Sequence, residues 1–257
     1  MKLAKGLAML EISAPMMGKI ETIYPTILFD ENGITLIDTG YPGQESLFST
    51  AIENEGLSFS QIHTILMTHQ DLDHIGSLPA IIEQSQPNKI QVKAHPLEIP
   101  YIQGEKRLIK ITQEAIDTID QWFPTGVPED FKAAFKALLQ NPPKAKVDLP
   151  LVDGQNLPII GGLICIHTPG HTPGHMSFYH QDSKTLIAGD ALLIEDGKLI
   201  ASPAQYSSHL DEVFRSIKKL AEFDIEKIIC YHGGLYESSD IQERLLEIAE
   251  KSSQLIN

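Results

Sequence analysis

Apolar residues recur along the chain in short runs of roughly four to eight, each bounded by polar or turn-forming residues, which is how strands of a buried sheet read. Runs at 3–12, 22–29 and 34–37 predict strands. The last two are joined by Asp30-Glu31-Asn32-Gly33, whose Asn-Gly pair favours a tight hairpin. Strands are also expected at 62–67 and 90–94. Residues 45–54 have helical spacing and stop at Gly56, and 76–83 open a helix with Pro79 in its first turn. Strands return at 147–152, 163–166, 176–180, 185–188, 198–201 and 227–231, with helical spacing at 210–223 and 241–248. Residues 97 to about 146 break this rhythm. They lean helical, are rich in Gln, Lys, Ile and Phe, and are punctuated by Pro124, Pro128, Pro142 and Pro143. They read as a helical lid inserted into one domain spanning 1–257, with Trp122 and Phe123 as local core rather than a platform for substrate.

Polar residues of one chemistry gather where these runs end. Thr68-His69-Gln70-Asp71-Leu72-Asp73-His74 follows the run at 62–67. His167 to His175 spans HTPGHTPGH, Asp190 closes Ala188-Gly189-Asp190, and His232 lies in Tyr231-His232-Gly233. Loops at strand ends are where a rigid scaffold presents functional groups. A divalent ion held by imidazoles and carboxylates lowers the pKa of its bound water from about 15.7 to about 7. Within the first cluster the alternating ligands cannot all serve one ion. His69 and Asp71 can face one, while Asp73 and His74 turn towards another. His171 and His232 then supply an imidazole each, and Asp190 a bridging carboxylate, so the count closes on two ions. His63, His95, His167, His175, His180 and His209 have no ligand role in this scheme.

Charge and cysteine usage narrow the function class. The formal net charge is −14, which disfavours nucleic-acid backbones because their neutralisation needs Lys and Arg. Cys165 and Cys230 lie in apolar runs without Cys-x-x-Cys spacing, as buried thiols of a reducing compartment do. The first residues read as a strand, with Glu11 interrupting the apolar stretch, rather than as a signal peptide. No apolar run approaches the ~20 residues of a membrane span. The expectation is a cytoplasmic protein, with a homodimer as its candidate assembly, acting on a small molecule, with no nucleic acid and no membrane as partner. No Gly-x-Ser-x-Gly elbow offers a nucleophilic serine instead.

Taken together, Leu36-Ile37-Asp38-Thr39-Gly40, Thr68 to Gly76, Thr168-Pro169-Gly170-His171-Thr172-Pro173-Gly174-His175, Gly189-Asp190 and Tyr231-His232-Gly233 resemble the metallo-beta-lactamase superfamily of hydrolases over nearly the whole length. The resemblance implies an α/β fold, a four-layer αββα sandwich, with the site on one edge between the sheets. It selects His171 as the ligand ahead of His175 and His167, and gives Asp38 a supporting role behind the ligands, with His175 bonding nearby. It implies two divalent ions, zinc first and manganese or iron as alternatives, and a metal-bridging hydroxide whose proton Asp73 orients or receives. One departure stands out: the family's usual motif has histidine where Asp71 stands. Three carboxylates against two divalent ions leave one net positive charge, where the usual pattern leaves two. That raises the pKa of bound water and favours harder ions. The flavin-linked diiron reductases of the same fold carry Glu there, together with a flavodoxin domain that this sequence lacks. Lactone-opening relatives have a tyrosine three residues after the bridging aspartate, where this chain has Leu193. The basic residues that bind glutathione in glyoxalase-type thioesterases have no counterpart that can be placed here. The resulting expectation is hydrolysis of an ester, lactone or thioester of a small, partly apolar molecule. The alternatives are a diiron redox enzyme or oxygenase on the same fold, or a metal-binding module without catalysis.

Overall fold

The structure, a computed structural model, describes residues 1–16, 19–121, 123–124 and 126–250; Trp122 lies outside them. In chain order the first half contains β1 (Lys2–Ala4), β2 (Leu7–Met9), β3 (Ile12–Met16), β4 (Lys19–Ile23), β5 (Thr26–Asp30), β6 (Gly33–Ile37), α1 (Glu45–Asn54), β7 (Ile62–Leu66), α2 (Leu72–Ile75), α3 (Leu78–Gln84) and β8 (Gln91–Ala94). Then come α4 (Ile99–Ile102), α5 (Gln113–Thr118), α6 (Glu129–Gln140) and β9 (Leu149–Pro150). The second half adds β10 (Asn156–Leu157), β11 (Leu163–His167), β12 (Met176–His180), β13 (Thr185–Gly189), β14 (Leu192–Glu195), β15 (Lys198–Ala201), α7 (Leu210–Leu220), β16 (Lys227–Cys230), β17 (Gly234–Glu237) and α8 (Ile241–Glu250).

Two large sheets form, ordered β1-β2-β5-β6-β7-β8-β9 and β10-β11-β12-β13-β16-β17, and β3 with β4 and β14 with β15 make two-stranded antiparallel sheets. The strands β6 to β9 are parallel to one another, as are β13 and β16, so helices must cross between them. Strand alternation decides which layer each side chain enters. Ile37, Leu66, Phe178, Ile187 and Ile229 fill the layer between the sheets. Ile34, Leu36 and Ile65 face the other way, against Phe48 and Ile52 of α1 and Leu78 and Ile81 of α3. On the far face of the second sheet, Leu186 and Ile228 meet Val213 and Ile217 of α7 and Leu245 of α8. Three apolar layers separated by two sheets make the αββα sandwich. Each fully buried aliphatic side chain stabilises it by about 1.5–3 kcal/mol.

Several boundaries differ from the sequence pattern for local reasons. The apolar run at 3–12 is broken into β1, β2 and the start of β3 by a turn at Gly6, whose φ is +74°. A Cβ there would lie 2.8 Å from the Phe29 carbonyl oxygen, so only glycine makes the turn. Pro25 divides the run at 22–29 between β4 and β5. The run at 147–152 pairs over only Leu149–Pro150, and β10, β14 and β17 are strands that the sequence pattern does not mark, β10 spanning only two residues.

The segment between β8 and β9 is helical, and it is anchored. Leu108, Ile111, Ile116, Ile119 and Leu139 are buried in the same apolar cluster as α1 and α3. Phe123 packs its ring edge-on to Phe131 and Phe135, with centroids 6.1 and 5.7 Å away. Cys165 and Cys230 are buried free thiols. Among the described residues no helix is long and apolar enough to cross a membrane.

Candidate metal centre

Beyond the C-terminal end of β7 the chain turns through His69 and Gln70 into α2, a single turn with Asp71 at its N-cap. The turn closes through the His74 N–H onto the Asp71 carbonyl at 2.9 Å. The His69 and His74 rings stay close, with centroids 4.0 Å apart, but the ligand atoms of the motif fall into two groups, so it serves two positions. The first collects His69, Asp71 and His171; the second collects Asp73, His74, Asp190 and His232. His69 Nε2 and His171 Nε2 lie 3.2 and 3.0 Å from Asp71 Oδ2. His232 Nε2 is 3.1 Å from Asp73 Oδ2, and His74 Nε2 is 3.4 Å from Asp190 Oδ1. Asp190 Oδ2 stands between the positions, 3.4 Å from His171 Nε2 and 3.5 Å from His232 Nε2. All seven residues thus converge, drawn from loops after β7, β11, β13 and β16.

The donor set suits divalent cations. His69 Nε2, His74 Nε2 and Asp190 Oδ1 are buried without a hydrogen-bond partner, an arrangement that costs free energy unless something bonds to them. The tautomers follow from the neighbours. Thr68 Oγ1 donates to Asp38 Oδ2 at 2.7 Å, so at 2.9 Å it accepts from His69 Nδ1. Asp38 Oδ2 likewise accepts from His74 Nδ1 at 2.8 Å. With both Nδ1 atoms protonated, a neutral ring presents its Nε2 lone pair to the centre, as metal ligation requires.

The surroundings fix these rings. Asp38 sits at φ +62° just past the end of β6 and also accepts the Thr68 N–H at 2.8 Å. Thr39 binds the His74 carbonyl through its N–H and its hydroxyl, at 2.7 and 2.6 Å. Tyr231 stacks on His74 at 3.9 Å and donates its hydroxyl to the Asp73 carbonyl at 2.6 Å. His171 Nδ1 is hydrogen-bonded to Ser202 Oγ at 2.7 Å.

The electrostatics divide the histidines. Burial, reinforced by His74 and opposed by Asp71, lowers His69 to about 4, so its ring is neutral at ordinary pH. At His232 burial is outweighed by Asp190 and Asp73, which push the ring up to about 10 in the metal-free protein. His74 is raised too, because Asp190, Asp73 and Asp38 overcome its burial. In the absence of metal, protons therefore balance part of the carboxylate charge.

The histidines outside the ligand set have other partners, among them His63, whose Nδ1 bonds Thr64 Oγ1 at 2.8 Å. His95 and His167 stack with centroids 4.2 Å apart, and His167 Nε2 bonds the Pro173 carbonyl at 3.0 Å. His180 bonds Ser183 and the Ile160 carbonyl. His175 uses its Nε2 on the Asp190 N–H.

Two residues in this region had no sequence signal. Glu98 is fully buried and accepts four hydrogen bonds. Its Oε1 takes Thr172 Oγ1 and the Gly174 N–H at 2.9 and 2.7 Å, and its Oε2 takes the Gln70 N–H and Nε2 at 3.0 Å each. It ties the loop carrying His69 and Asp71 to the loop carrying His171. Lys110, from the segment between α4 and α5, hydrogen-bonds Asp71 Oδ2 and approaches His171 Nε2 to 2.6 Å. Neither residue lies in a recognisable motif.

The centre floors a cavity of about 480 Å³. Its walls are mostly apolar, including Leu72, Leu108, Ile111, Leu139 and Leu193, with Tyr41 and Tyr206 as amphipathic edges.

The family model for the metallo-beta-lactamase superfamily matches residues 22–232. The "Probable metallo-hydrolase YflN" of Bacillus subtilis (strain 168) is 26% identical over 88% of this chain and 85% of its own length. A hydroxyacylglutathione hydrolase of Pseudomonas savastanoi pv. phaseolicola is 30% identical over 50% of this chain and 54% of its own. Among solved structures, a metallo-beta-lactamase family protein of Thermus thermophilus superposes with a TM-score of 0.71 at 25% identity, covering 98% of this chain and 81% of that one.

Proposed function

The chain belongs to the metallo-beta-lactamase superfamily, and from that premise we propose that it is a dinuclear metal-dependent hydrolase of a small, partly apolar ester, lactone or thioester. The reading rests above all on the buried, unpartnered Nε2 atoms of His69 and His74, gathered with three carboxylates at the floor of an apolar-walled cavity. His69, Asp71 and His171 would hold one ion, and Asp73, His74 and His232 the other, with Asp190 bridging. Two divalent ions there would lower the pKa of bound water and polarise the scissile carbonyl. Asp73, at the open side of the centre, would orient the attacking water and accept its proton. Asp38 and His175 would hold the ligands in place from behind. The apolar wall would exclude bulk water and seat the substrate's hydrocarbon part.

Zinc is the first choice for both positions, with manganese or iron favoured at the first by the Asp71 carboxylate. The hydroxyacylglutathione hydrolase likeness brings thioesters into the range. Lys110 is the one Lys or Arg among the described residues lining the cavity, which offers little to a substrate of several negative charges. The acidic surface argues against a nucleic-acid substrate. The segment 97–146 borders the cavity and would choose the substrate, and the buried thiols suit the cytoplasm.

The test is metal analysis of protein purified without added metal, followed by turnover of chromogenic esters, lactones and thioesters before and after chelation. Zinc or manganese with chelator-sensitive turnover supports the reading. Two irons with a visible charge-transfer band and no hydrolysis would move the assignment to the redox alternative that Asp71 favours.

A further inference from the structure

Lys110 uses the very atoms that the first metal position needs. Its ammonium hydrogen-bonds Asp71 Oδ2 and comes within 2.6 Å of His171 Nε2. An imidazole nitrogen has one lone pair, so His171 Nε2 can accept a proton donor or bind a cation, but not both. A Lys ammonium carries one positive charge and can balance one carboxylate, and here it balances Asp71. Among the described residues no Lys or Arg is paired with the second position, where the carboxylates of Asp73 and Asp190 face histidines instead.

The lysine is also held where it is. The Ile109 N–H donates to Gln70 Oε1 at 2.8 Å, and Gln70 is in turn fixed through its N–H and Nε2 to the buried Glu98. Leu108 and Ile111 on either side are buried in the main apolar cluster. The stretch that carries Lys110 is therefore tied to the side chain of Gln70, between His69 and Asp71, while the lysine side chain is 30% exposed and lines the cavity.

We propose that Lys110 is a built-in competitor for the first metal position: it neutralises Asp71 and occupies His171 when that position holds no ion, and it must withdraw before one binds. This rests on the metal-centre reading above and adds unequal loading to it. The position formed by Asp73, His74, Asp190 and His232 fills first. The one formed by His69, Asp71 and His171 fills second, at the cost of the Lys110 contacts. Once displaced, the ammonium stays within the cavity lining.

Native mass spectrometry of metal-free protein with zinc added stepwise tests this. Wild type should take up a first ion and then a second at clearly higher free zinc. Lys110→Met should leave the first step in place and bring the second to roughly tenfold lower zinc or below, the size expected for hydrogen bonds to charged groups. A readout on the unmutated protein is independent of how the variant folds. Acetylation of the Lys110 amine by an N-hydroxysuccinimide ester, followed by peptide mass spectrometry, should speed up severalfold when the second zinc binds. Coincident uptake curves for the two proteins, or an acetylation rate indifferent to zinc, overturn the proposal. Failure of both proteins to bind any zinc overturns the metal centre itself, and this proposal with it.

Discussion

The backbone N–H of Asp190 donates to His175 Nε2 at 2.9 Å. The other ring nitrogen, Nδ1, is hydrogen-bonded to Thr168 Oγ1 at 2.9 Å, so the ring has no free lone pair. His171, four residues earlier, points its Nε2 at Asp71 and Asp190 instead. The two histidines of the repeated Thr-Pro-Gly-His motif thus have separate tasks: one faces the centre, and the other holds the backbone of Asp190, whose carboxylate stands between the two positions. His171→Ala should remove about one ion per chain even at saturating zinc, since a ligand is lost. His175→Ala should keep the full complement at saturation and weaken affinity about 10- to 100-fold, the usual effect of removing a partner behind a ligand. Metal content and zinc affinity of the two variants decide it; equal loss of stoichiometry in both would contradict the division.

Asp71 sets the charge of the first position. Asp71→His restores an imidazole, raises the net charge of the centre by one and replaces an oxygen donor with nitrogen. Zinc should then compete better against manganese and iron, and the basic limb of metal-water ionisation should move to lower pH. Competitive metal loading and pH–rate profiles of both forms measure the two effects. If neither changes, Asp71 does not touch the metal.

Glu98 tests how the two ligand-bearing loops are joined. Its oxygens accept four donors in a fully buried setting. Glu98→Gln sets an amide NH2 against donors that can no longer be satisfied. The variant should lose about 1–3 kcal/mol of stability, the cost of leaving such groups unpaired. Because Gln70 and Thr172 flank ligands, zinc affinity should fall as well. Chemical denaturation and zinc binding check both, and an unchanged affinity would confine Glu98 to a structural role.

The pH dependence follows from His232 and His74. In the metal-free protein Asp190 and Asp73 outweigh burial and hold His232 at about 10, and His74 is raised by the same carboxylates together with Asp38. Both values exceed the ~6.5 of an unfolded chain. Their protonation therefore stabilises the metal-free fold fully below about pH 6.5, and that contribution is lost as pH rises through the folded values. The stability advantage of metal-free wild type over metal-free His232→Gln should shrink between pH 6.5 and about 10. Zinc affinity should rise over the same range, because ligation needs the neutral ring. Denaturation midpoints and zinc binding at three pH values would show it; an advantage that grows with pH would contradict the electrostatic picture.

The sequence by itself determined which loops carry chemistry. Short apolar runs bounded by turn residues mark the strands that fill the sandwich, and His69, Asp71, Asp73, His74, His171, Asp190 and His232 stand where those strands end. Strands such as Met176–His180 and Lys198–Ala201 could be read to the residue, because each is an apolar stretch with clear turns beside it. The split of the first motif into His69 with Asp71 and Asp73 with His74 was legible as well; only the tertiary structure decided that His171 joins the first pair and His232 the second. It alone brought Lys110 to His171 across 61 residues of chain, and Glu98 to Gly174 across 76. It also placed β10, β14 and β17, whose pairing comes from neighbours rather than from their own pattern. A sequence pattern records the periodicity of burial within one element. It carries no record of which charged side chain from a distant helical segment will meet a given imidazole, because that contact is set by the packing of the layers between them.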